Sequence, residues 1–343
     1  MSKARELAEL GAVYDSGALS NRNLFINSGM EVAQRGTTNG PNTTNGVLVL
    51  DRWYVNASGA SKTLSQESFT IGQTDVPGSP KNYLRLAVAT GNDNCGIHQR
   101  IEDVTLLGGK TLNLSFWAKG TNPAGGSFVS SWIQNFGSGG SATVETEAKS
   151  GIVLTSSWQK FSFSITLPSV SGKTVGAGSF TWVEILRQPG TDSGTSAWTA
   201  DIALPQVELG TEATPFEHRS YGDELQRCKR YFIKYGSDGL QAYVPVSEMG
   251  STQDNYRTRV QYLFSPEMRA APAVSYSTLQ VNNRGLNSSH SVTRVALAGS
   301  EYSRTAISMF FETAVVSGQT TGQPCFARVD NSNNGYLYID AEL

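Results

Sequence analysis

Short stretches of alternating apolar and polar residues recur along the chain, separated by Gly, Ser, Thr and Asn. In segment 159–167, for example, Phe161, Phe163 and Ile165 fall on one face and polar residues fall between them. A period of two is the spacing of a β-strand with one buried face. Many short strands with frequent turn residues favour sandwiches or barrels over helical bundles. The pattern therefore predicts an all-β fold.

Composition narrows the classes of function. The chain has 343 residues, which suggests about two domains. It carries 27 basic and 29 acidic residues, a net charge of -2, and charged residues make up only 16%. This balance offers no basic field for a nucleic-acid backbone, so we expect no nucleic-acid partner. No apolar run approaches about 18 residues, so we expect no membrane insertion.

Residues that could form a catalytic or metal centre are scattered. We expect the cysteines to be buried free thiols of a protein folded in a reducing cytoplasm, and the histidines to lie on the surface or at a hinge. Glycoside-cleaving carboxylate pairs are assembled in space, so the sequence leaves them open, although structural use of the candidates is favoured. These residues are Cys95, Cys228 and Cys325; His98, His218 and His290; and Glu184, Asp192, Asp201 and Glu208.

Residues 1–22 form an N-terminal segment set apart from the strands that follow. A short helix is expected at 3–10, with Ala4, Leu7 and Ala8 on one face. So few residues do not hold a helix alone in water. We therefore predict that this face docks on another protein or on another copy of the chain. Residues 23–218 form the next domain, which contains all six Trp.

Residues 219–343 begin with a helix and return to strands. Ser220 is a good N-cap, and Leu225, Phe232 and Tyr235 recur at helical spacing up to Gly236. We predict that this apolar stripe packs on the following domain or on a neighbouring chain, and it is our candidate oligomer contact. The strands after it are expected to form a small antiparallel sandwich, closed by a hairpin of 325–330 with 336–343.

Exposed aromatic side chains are the remaining functional signal, because sugar rings stack on flat aromatic faces. Trp132 is followed by the Gly- and Ser-rich loop 137–140. We therefore place Trp132 at a rim, as the candidate glycan-binding residue. Trp158, next to a strand, is expected to anchor an edge or the core.

Several stretches resemble carbohydrate-binding-type jelly rolls. The opening is NLFINSGME at 23–31 with DRW at 51–53, the middle strands are LSFWAKG at 114–120 and SWQKF at 157–161, and the closing strand is DIALPQVELG at 201–210. The closing strand with the helix after it, and the opening segment 2–23, are similar to tail-fibre and related virion proteins of bacteriophages, notably those of marine cyanobacteria.

This resemblance implies a jelly-roll β-sandwich between the N-terminal helix and the linker helix. It also implies a non-catalytic virion protein, a short homotrimeric tail fibre assembled in the host cytoplasm. Such a fibre docks to other virion proteins through its N-terminus and binds a host surface polysaccharide. Members of the family sometimes hold calcium near positions comparable to Glu31 and Asp201. The closing strand has one Asp where many such modules have two, so we expect no cofactor and no metal site.

Two alternatives belong to other classes. One is a capsid- or tail-bound decoration or adaptor protein, which differs from a fibre in its position on the particle. The other is a polysaccharide-degrading tailspike, which requires a cleft with two carboxylates about 5 to 10 Å apart.

Overall fold

The computed structural model describes residues 21–42, 46–56, 61–90, 95–123, 126–188, 197–283, 288–315 and 320–343. The N-terminal helix expected at 3–10, with Ala4, Leu7 and Ala8, lies outside these residues. The chain divides into two compact units, Met1–Glu224 with Leu343 and Leu225–Glu342. The fold is all-β with one short helix in the described residues, as predicted.

Strands of the first unit form two six-stranded antiparallel sheets within the described residues. In chain order the strands are β1 (Thr38–Asn42), β2 (Val47–Leu48), β3 (Tyr54–Asn56), β4 (Ser61–Ser68), β5 (Asn82–Thr90), β6 (Gly96–Glu102), β7 (Thr111–Thr121), β8 (Phe128–Asn135), β9 (Val144–Ile152), β10 (Gln159–Thr166), β11 (Phe180–Arg187) and β12 (Trp198–Leu209). Sheet 1 has the order β1-β4-β5-β12-β7-β10, and sheet 2 has the order β2-β3-β6-β11-β8-β9.

The core of the first unit lies between the inner faces of the two sheets. Leu114 and Phe116 of β7 pack in one cluster with Ile97 of β6 and Val183 of β11. Phe161 of β10 packs against the same cluster. The alternation read from the sequence thus identified the inner faces, because burial of one face is what selects apolar residues at every second position.

A polar cluster joins the first and last segments of this unit, and we call it the clasp (Asn23, Glu217 and Arg219). The backbone N–H of Asn23 donates to Glu217 Oε2 at 2.7 Å, and Arg219 Nη2 lies 3.1 Å from the same oxygen. Arg219 Nη1 also donates to the carbonyl of Phe25 at 2.8 Å. Burial opposes ionisation of Glu217, but hydrogen bonds from the amides of Asn23 and Asn21 and the Arg219 charge hold its pKa below the ordinary value.

The helix α1 spans Tyr221–Lys229. Its N-cap is Ser220, whose Oγ accepts a hydrogen bond from the amide of Asp223 at 3.2 Å. The helix ends earlier than the spacing of apolar residues predicted. The amide of Tyr231 donates to the carbonyl of Cys228 at 2.9 Å in a turn, and the chain continues as a strand.

Strands of the second unit form a three-stranded sheet and a closed six-stranded barrel within the described residues. They are β13 (Phe232–Gly236), β14 (Gly250–Thr252), β15 (Arg257–Leu263), β16 (Ala273–Ser277), β17 (Leu279–Asn283), β18 (Ser288–Tyr302), β19 (Ala306–Thr313), β20 (Pro324–Val329) and β21 (Tyr336–Asp340). The sheet has the order β13-β21-β16, and the barrel has the order β14-β15-β19-β18-β17-β20. The prediction of a C-terminal hairpin is wrong. The strands β20 and β21 do not pair, because β20 belongs to the barrel and β21 to the sheet.

The candidate oligomer contacts Leu225, Phe232 and Tyr235 do not form one helical stripe. Phe232 lies in β13 opposite Asp340, is fully buried, and contacts Tyr338 edge-on with ring centroids 5.0 Å apart. Tyr235 lies in the same strand, half-buried. Leu225 is half-buried on α1. Phe232 is therefore a core residue of its own chain and is not available to a second copy.

Candidate functional site

Trp132 is a core residue, so its placement at a rim was wrong. It is fully buried in β8, pairs with Val183 of β11 and packs in the core between the sheets. Its Nε1 has no hydrogen-bond partner among the described residues. Residues 128–132 are all buried, and such an unbroken run carries no alternation that reveals which face is inner.

Trp117, unlike Trp132, faces away from the core between the two sheets. It lies in β7 out of phase with the core residues Leu114 and Phe116, so it projects from the outer face of sheet 1. It is half-buried, with Ala203 of β12 on one side and Lys160 of β10 on the other. Sequence reasoning passed over Trp117, although the phase of this strand was already visible and could have found it.

A row of charged residues crosses the same outer face beside Trp117. Lys119 of β7 stands opposite Asp201 of β12, and Asp201 stands opposite Arg85 of β5. Arg85 forms a two-point hydrogen-bonded ion pair with Asp201, with Nε 2.7 Å from Oδ1 and Nη2 2.8 Å from Oδ2. The carboxylate of Asp201 is thus committed to Arg85 rather than to Lys119.

Three aromatic rings cluster at one end of this face. Trp158 lies 5.3 Å from Tyr83 and 5.2 Å from Phe69, measured between ring centroids. The ammonium of Lys119 lies 5.0 Å from the Trp158 ring and 5.9 Å from the Tyr83 ring. These distances are those of cation–π contacts. Trp158 therefore anchors a satellite cluster on the outer face.

A groove of about 300 Å³ opens above Trp117, and we call it the Trp117 groove. Ser115 and Trp117 form its floor, and Lys160 lies beside them. Pro77 forms part of one wall. The other wall is contributed by segment 214–218, including His218. Its volume is at the lower end of the range for small-ligand sites.

Segment 214–218 is held in place by buried polar side chains of the closing strand. The carboxylate of Glu208 accepts hydrogen bonds from the amide of Thr214 at 2.8 Å and from its hydroxyl at 2.6 Å. Gln206 accepts a hydrogen bond from the amide of Glu217 at 2.8 Å. Fixed walls lower the entropy lost when a ligand binds.

A β-bulge in the closing strand brings an apolar residue into the groove. The register of β12 against β7 shifts between Ala203 and Gln206, and Leu204 has a φ of 49°. Leu204 is thereby turned onto the outer face, where it lies among the residues that line the groove.

Gly78 permits the close approach of His218 to the opposite wall. Its φ is 82°, and a Cβ at this position would lie 2.9 Å from His218 Nε2. Any other residue would therefore be strained and would displace the histidine. The ring of Phe216 lies 4.9 Å from the His218 ring, edge-on. His218 is exposed, as expected, and it is a groove residue.

Carboxylates proposed for glycoside cleavage are held by structural partners. Glu184 is almost fully buried; Arg187 Nε lies 3.0 Å from its Oε2, to which Ser131 Oγ also donates at 3.1 Å. Burial raises the pKa of Glu184 to about 7. Asp201 is paired with Arg85, and Glu208 binds Thr214. Asp192 lies outside the described residues.

Of the other two histidines, His98 contradicts the expected surface position. His98 lies opposite the core face of β6, as the alternation implied, but it is buried, with its ring stacked 3.8 Å from Trp182 and 5.2 Å from Tyr54. Burial, reinforced by nearby arginines, lowers the pKa of His98 well below its ordinary value. His290 lies half-buried in the strand β18.

Glu31 and Asp201, the positions considered for calcium, do not form an acidic cluster. Glu31 Oε1 lies 3.9 Å from Lys81 Nζ, and Asp201 is taken by Arg85. In the part of the chain that the structure describes, no three His, Cys, Asp or Glu residues come together as a metal site. Within the same residues, no helix has the length and apolarity required to span a membrane.

No protein-family model matches the chain, and a search of curated proteins found no match. Among solved structures, the enzymatically active domain of tailspike protein 4 of bacteriophage CBA120 aligns at 15% identity and a TM-score of 0.31, over 55% of this chain and 22% of that one. The CBM22-1 xylan-binding domain of Paenibacillus barcinonensis Xyn10C aligns at 12% identity and a TM-score of 0.33, over 56% of this chain and 96% of that one.

The CBM22-1–GH10 modules of Clostridium thermocellum xylanase 10B, complexed with xylohexaose, align at 11% identity and a TM-score of 0.32, over 55% of this chain and 29% of that one. This chain thus spans about a fifth of the tailspike domain and less than a third of the xylanase fragment.

Proposed function

We propose that the chain is a non-catalytic glycan-binding protein whose site is the Trp117 groove. The observation that carries this proposal is a half-buried Trp117 at the floor of a groove with polar and charged residues beside it. The C–H face of a sugar ring is apolar and stacks on an indole, while the hydroxyls at its edge need hydrogen-bonding groups. Ser115, Lys160 and His218 supply such groups around the indole.

The contents of the groove favour binding over catalysis. Glycoside cleavage by the common mechanism needs two carboxyl groups flanking the bond. The described residues that line the groove include neither Asp nor Glu. Glu184, whose pKa is raised to about 7 as an acid catalyst would require, is only 1% exposed. These features support a site that holds a sugar without cleaving it.

The setting that we propose is a bacteriophage virion, in which the chain forms a short homotrimeric tail fibre. This part of the proposal rests on the sequence resemblance of the opening segment and of the junction after β12. Three copies would present three grooves to one surface, and such multiplicity converts weak sugar contacts into useful avidity. Locating the chain in images of the intact particle separates the fibre from a decoration or adaptor protein, which would lie on the capsid or tail body.

A glycan array that includes neutral and acidic host-type polysaccharides tests the binding function. We expect Trp117→Ala to weaken binding of the retained glycans by about tenfold, equivalent to about 1.4 kcal/mol. Tyr221→Ala is the matched control, because Tyr221 is a 52% exposed aromatic residue outside the groove. The proposal fails if no retained glycan depends on Trp117. Shortened polysaccharide chains after incubation with the purified protein would favour the tailspike alternative.

A further inference from the structure

Two lysines lie beside Trp117 on the outer face of sheet 1, one lining the Trp117 groove and one just outside its lining. Lys160 stands opposite Trp117 in register, is exposed, and lines the groove. Lys119 lies two residues after Trp117 in β7, so its side chain projects from the same face. Among the described residues, neither ammonium has a carboxylate within ion-pair distance.

The carboxylate best placed to neutralise Lys119 is already engaged. Asp201 lies directly opposite Lys119, but both of its oxygens accept hydrogen bonds from Arg85. Two other carboxylates project from this face. Glu208 of β12 lies opposite Asn113 of β7, and both of its oxygens accept hydrogen bonds from Thr214. Glu67 lies in β4, and the strands β5 and β12 separate it from β7. Glu67 accepts a hydrogen bond from Ser65 at 2.7 Å. Lys119 is therefore left with its charge available.

Two aromatic rings hold the Lys119 ammonium at a defined position. The Lys119 ammonium lies over the rings of Trp158 and Tyr83, at 5.0 and 5.9 Å. Cation–π contacts restrict the flexible lysine stem without neutralising the ammonium. A lysine held in this way can still donate to an anion approaching from solvent. On this face the carboxylates of Asp201, Glu67 and Glu208 accept hydrogen bonds from other side chains, whereas no described carboxylate pairs with Lys119 or Lys160.

We propose that the glycan bound at the Trp117 groove is anionic, with sugar carboxylates or sulfate esters taken by Lys119 and Lys160 while a ring stacks on Trp117. This inference rests on the proposed glycan-binding function and deepens it. The two lysines are specificity determinants, because an indole platform alone accepts neutral and charged sugars alike. Ion pairs at partly exposed sites are screened by salt, so binding is expected to weaken as ionic strength rises.

The experiment compares glycans in matched pairs. Polygalacturonate and hyaluronate are each paired with their carboxyl-reduced forms, and chondroitin sulfate is paired with its desulfated form. We expect the anionic member of at least one pair to bind the protein more tightly. Lys119→Gln and Lys160→Gln are each expected to weaken that binding about two- to fivefold, the range for exposed ion pairs. The double variant is expected to weaken it by about tenfold.

Lys173→Gln is the matched control, because Lys173 is an exposed lysine 5.8 Å from an aromatic ring elsewhere on the unit. Loss of binding after carboxyl reduction identifies a carboxylate as the anionic group, and loss after desulfation identifies a sulfate ester. If both members of every pair bind equally, or if no member binds while neutral array glycans still depend on Trp117, this inference alone is overturned. If no glycan of either set depends on Trp117, the proposed function is overturned with it.

Discussion

Replacing Trp132 with Ala tests whether this residue belongs to the core or to a binding rim. The side chain is 0% exposed and packs between the two sheets. Truncating a buried Trp or Phe to Ala costs about 3–5 kcal/mol, because apolar contacts are lost and a cavity remains. For a unit of about 200 residues, each kcal/mol lowers the melting temperature by about 2–4 °C. We therefore expect the first unit to melt about 6–20 °C lower in Trp132→Ala.

Trp132→Phe is the matched control for this prediction. The Nε1 of Trp132 donates to no described residue, so a phenyl ring forfeits no hydrogen bond and leaves a smaller cavity. We expect a cost of about 1–2 kcal/mol for this change.

Differential scanning calorimetry of the wild type and both variants gives these values. Glycan binding is measured in parallel, well below the transition, where Trp132→Ala is expected to bind as the wild type does. An unchanged melting temperature together with lost glycan binding would show that Trp132 is a binding residue and would refute its assignment to the core.

Two further predictions concern buried residues in the two units. Burial raises the pKa of Glu184 from 4.5 to about 7, so the folded protein binds the carboxyl proton more tightly than the unfolded chain does. The protonated Glu184 therefore contributes its full stability below about pH 4.5, and this contribution is lost as the pH rises through 7. In urea unfolding, the free energy of unfolding of the wild type should fall by about 3 kcal/mol relative to that of Glu184→Gln between pH 4.5 and 8. His98, whose lowered pKa has the opposite effect on stability, is present in both proteins, so its contribution cancels in the difference. Parallel pH profiles of the two proteins would contradict the burial of Glu184. Phe232→Ala should destabilise the second unit by about 3–5 kcal/mol without altering the oligomeric state seen in sedimentation, whereas dissociation of an oligomer with unchanged unfolding would support the contact role first expected for Phe232.

Alternation in the sequence was sufficient where one face of a strand is buried and the other is not. It placed Phe161 and Ile165 of β10 correctly on the inner face. In β7, where Leu114 and Phe116 face the core, the same alternation leaves Trp117 on the outer face. It failed for Trp132, because residues 128–132 are buried on both faces of the strand and leave no contrast to read. The groove itself was beyond sequence reasoning, since its walls come from segments more than a hundred residues apart.

Local signals also failed where pairing partners decide the structure. The spacing of Leu225, Phe232 and Tyr235 suits a helix, but Phe232 pairs with Asp340 near the C-terminus, more than a hundred residues away. A strand ladder and a buried position outweigh helical periodicity in so short a segment. The Asn-Gly sequence ending at Gly335 signalled a turn, yet turn chemistry does not determine that β20 and β21 join different sheets.

In the proposed fibre, the clasp would affect how the chain carries a mechanical load. Asn23 donates to Glu217 through its amide and accepts from Arg219 through its carbonyl. Tension from residue 23 to residue 219 therefore has a short path that bypasses the residues between them. A pull applied across these points would be resisted by the hydrogen bonds of the clasp before it reached the strand ladders. Segment 214–218, which lines the Trp117 groove and contains Glu217, would keep its position under such a pull until the clasp ruptures.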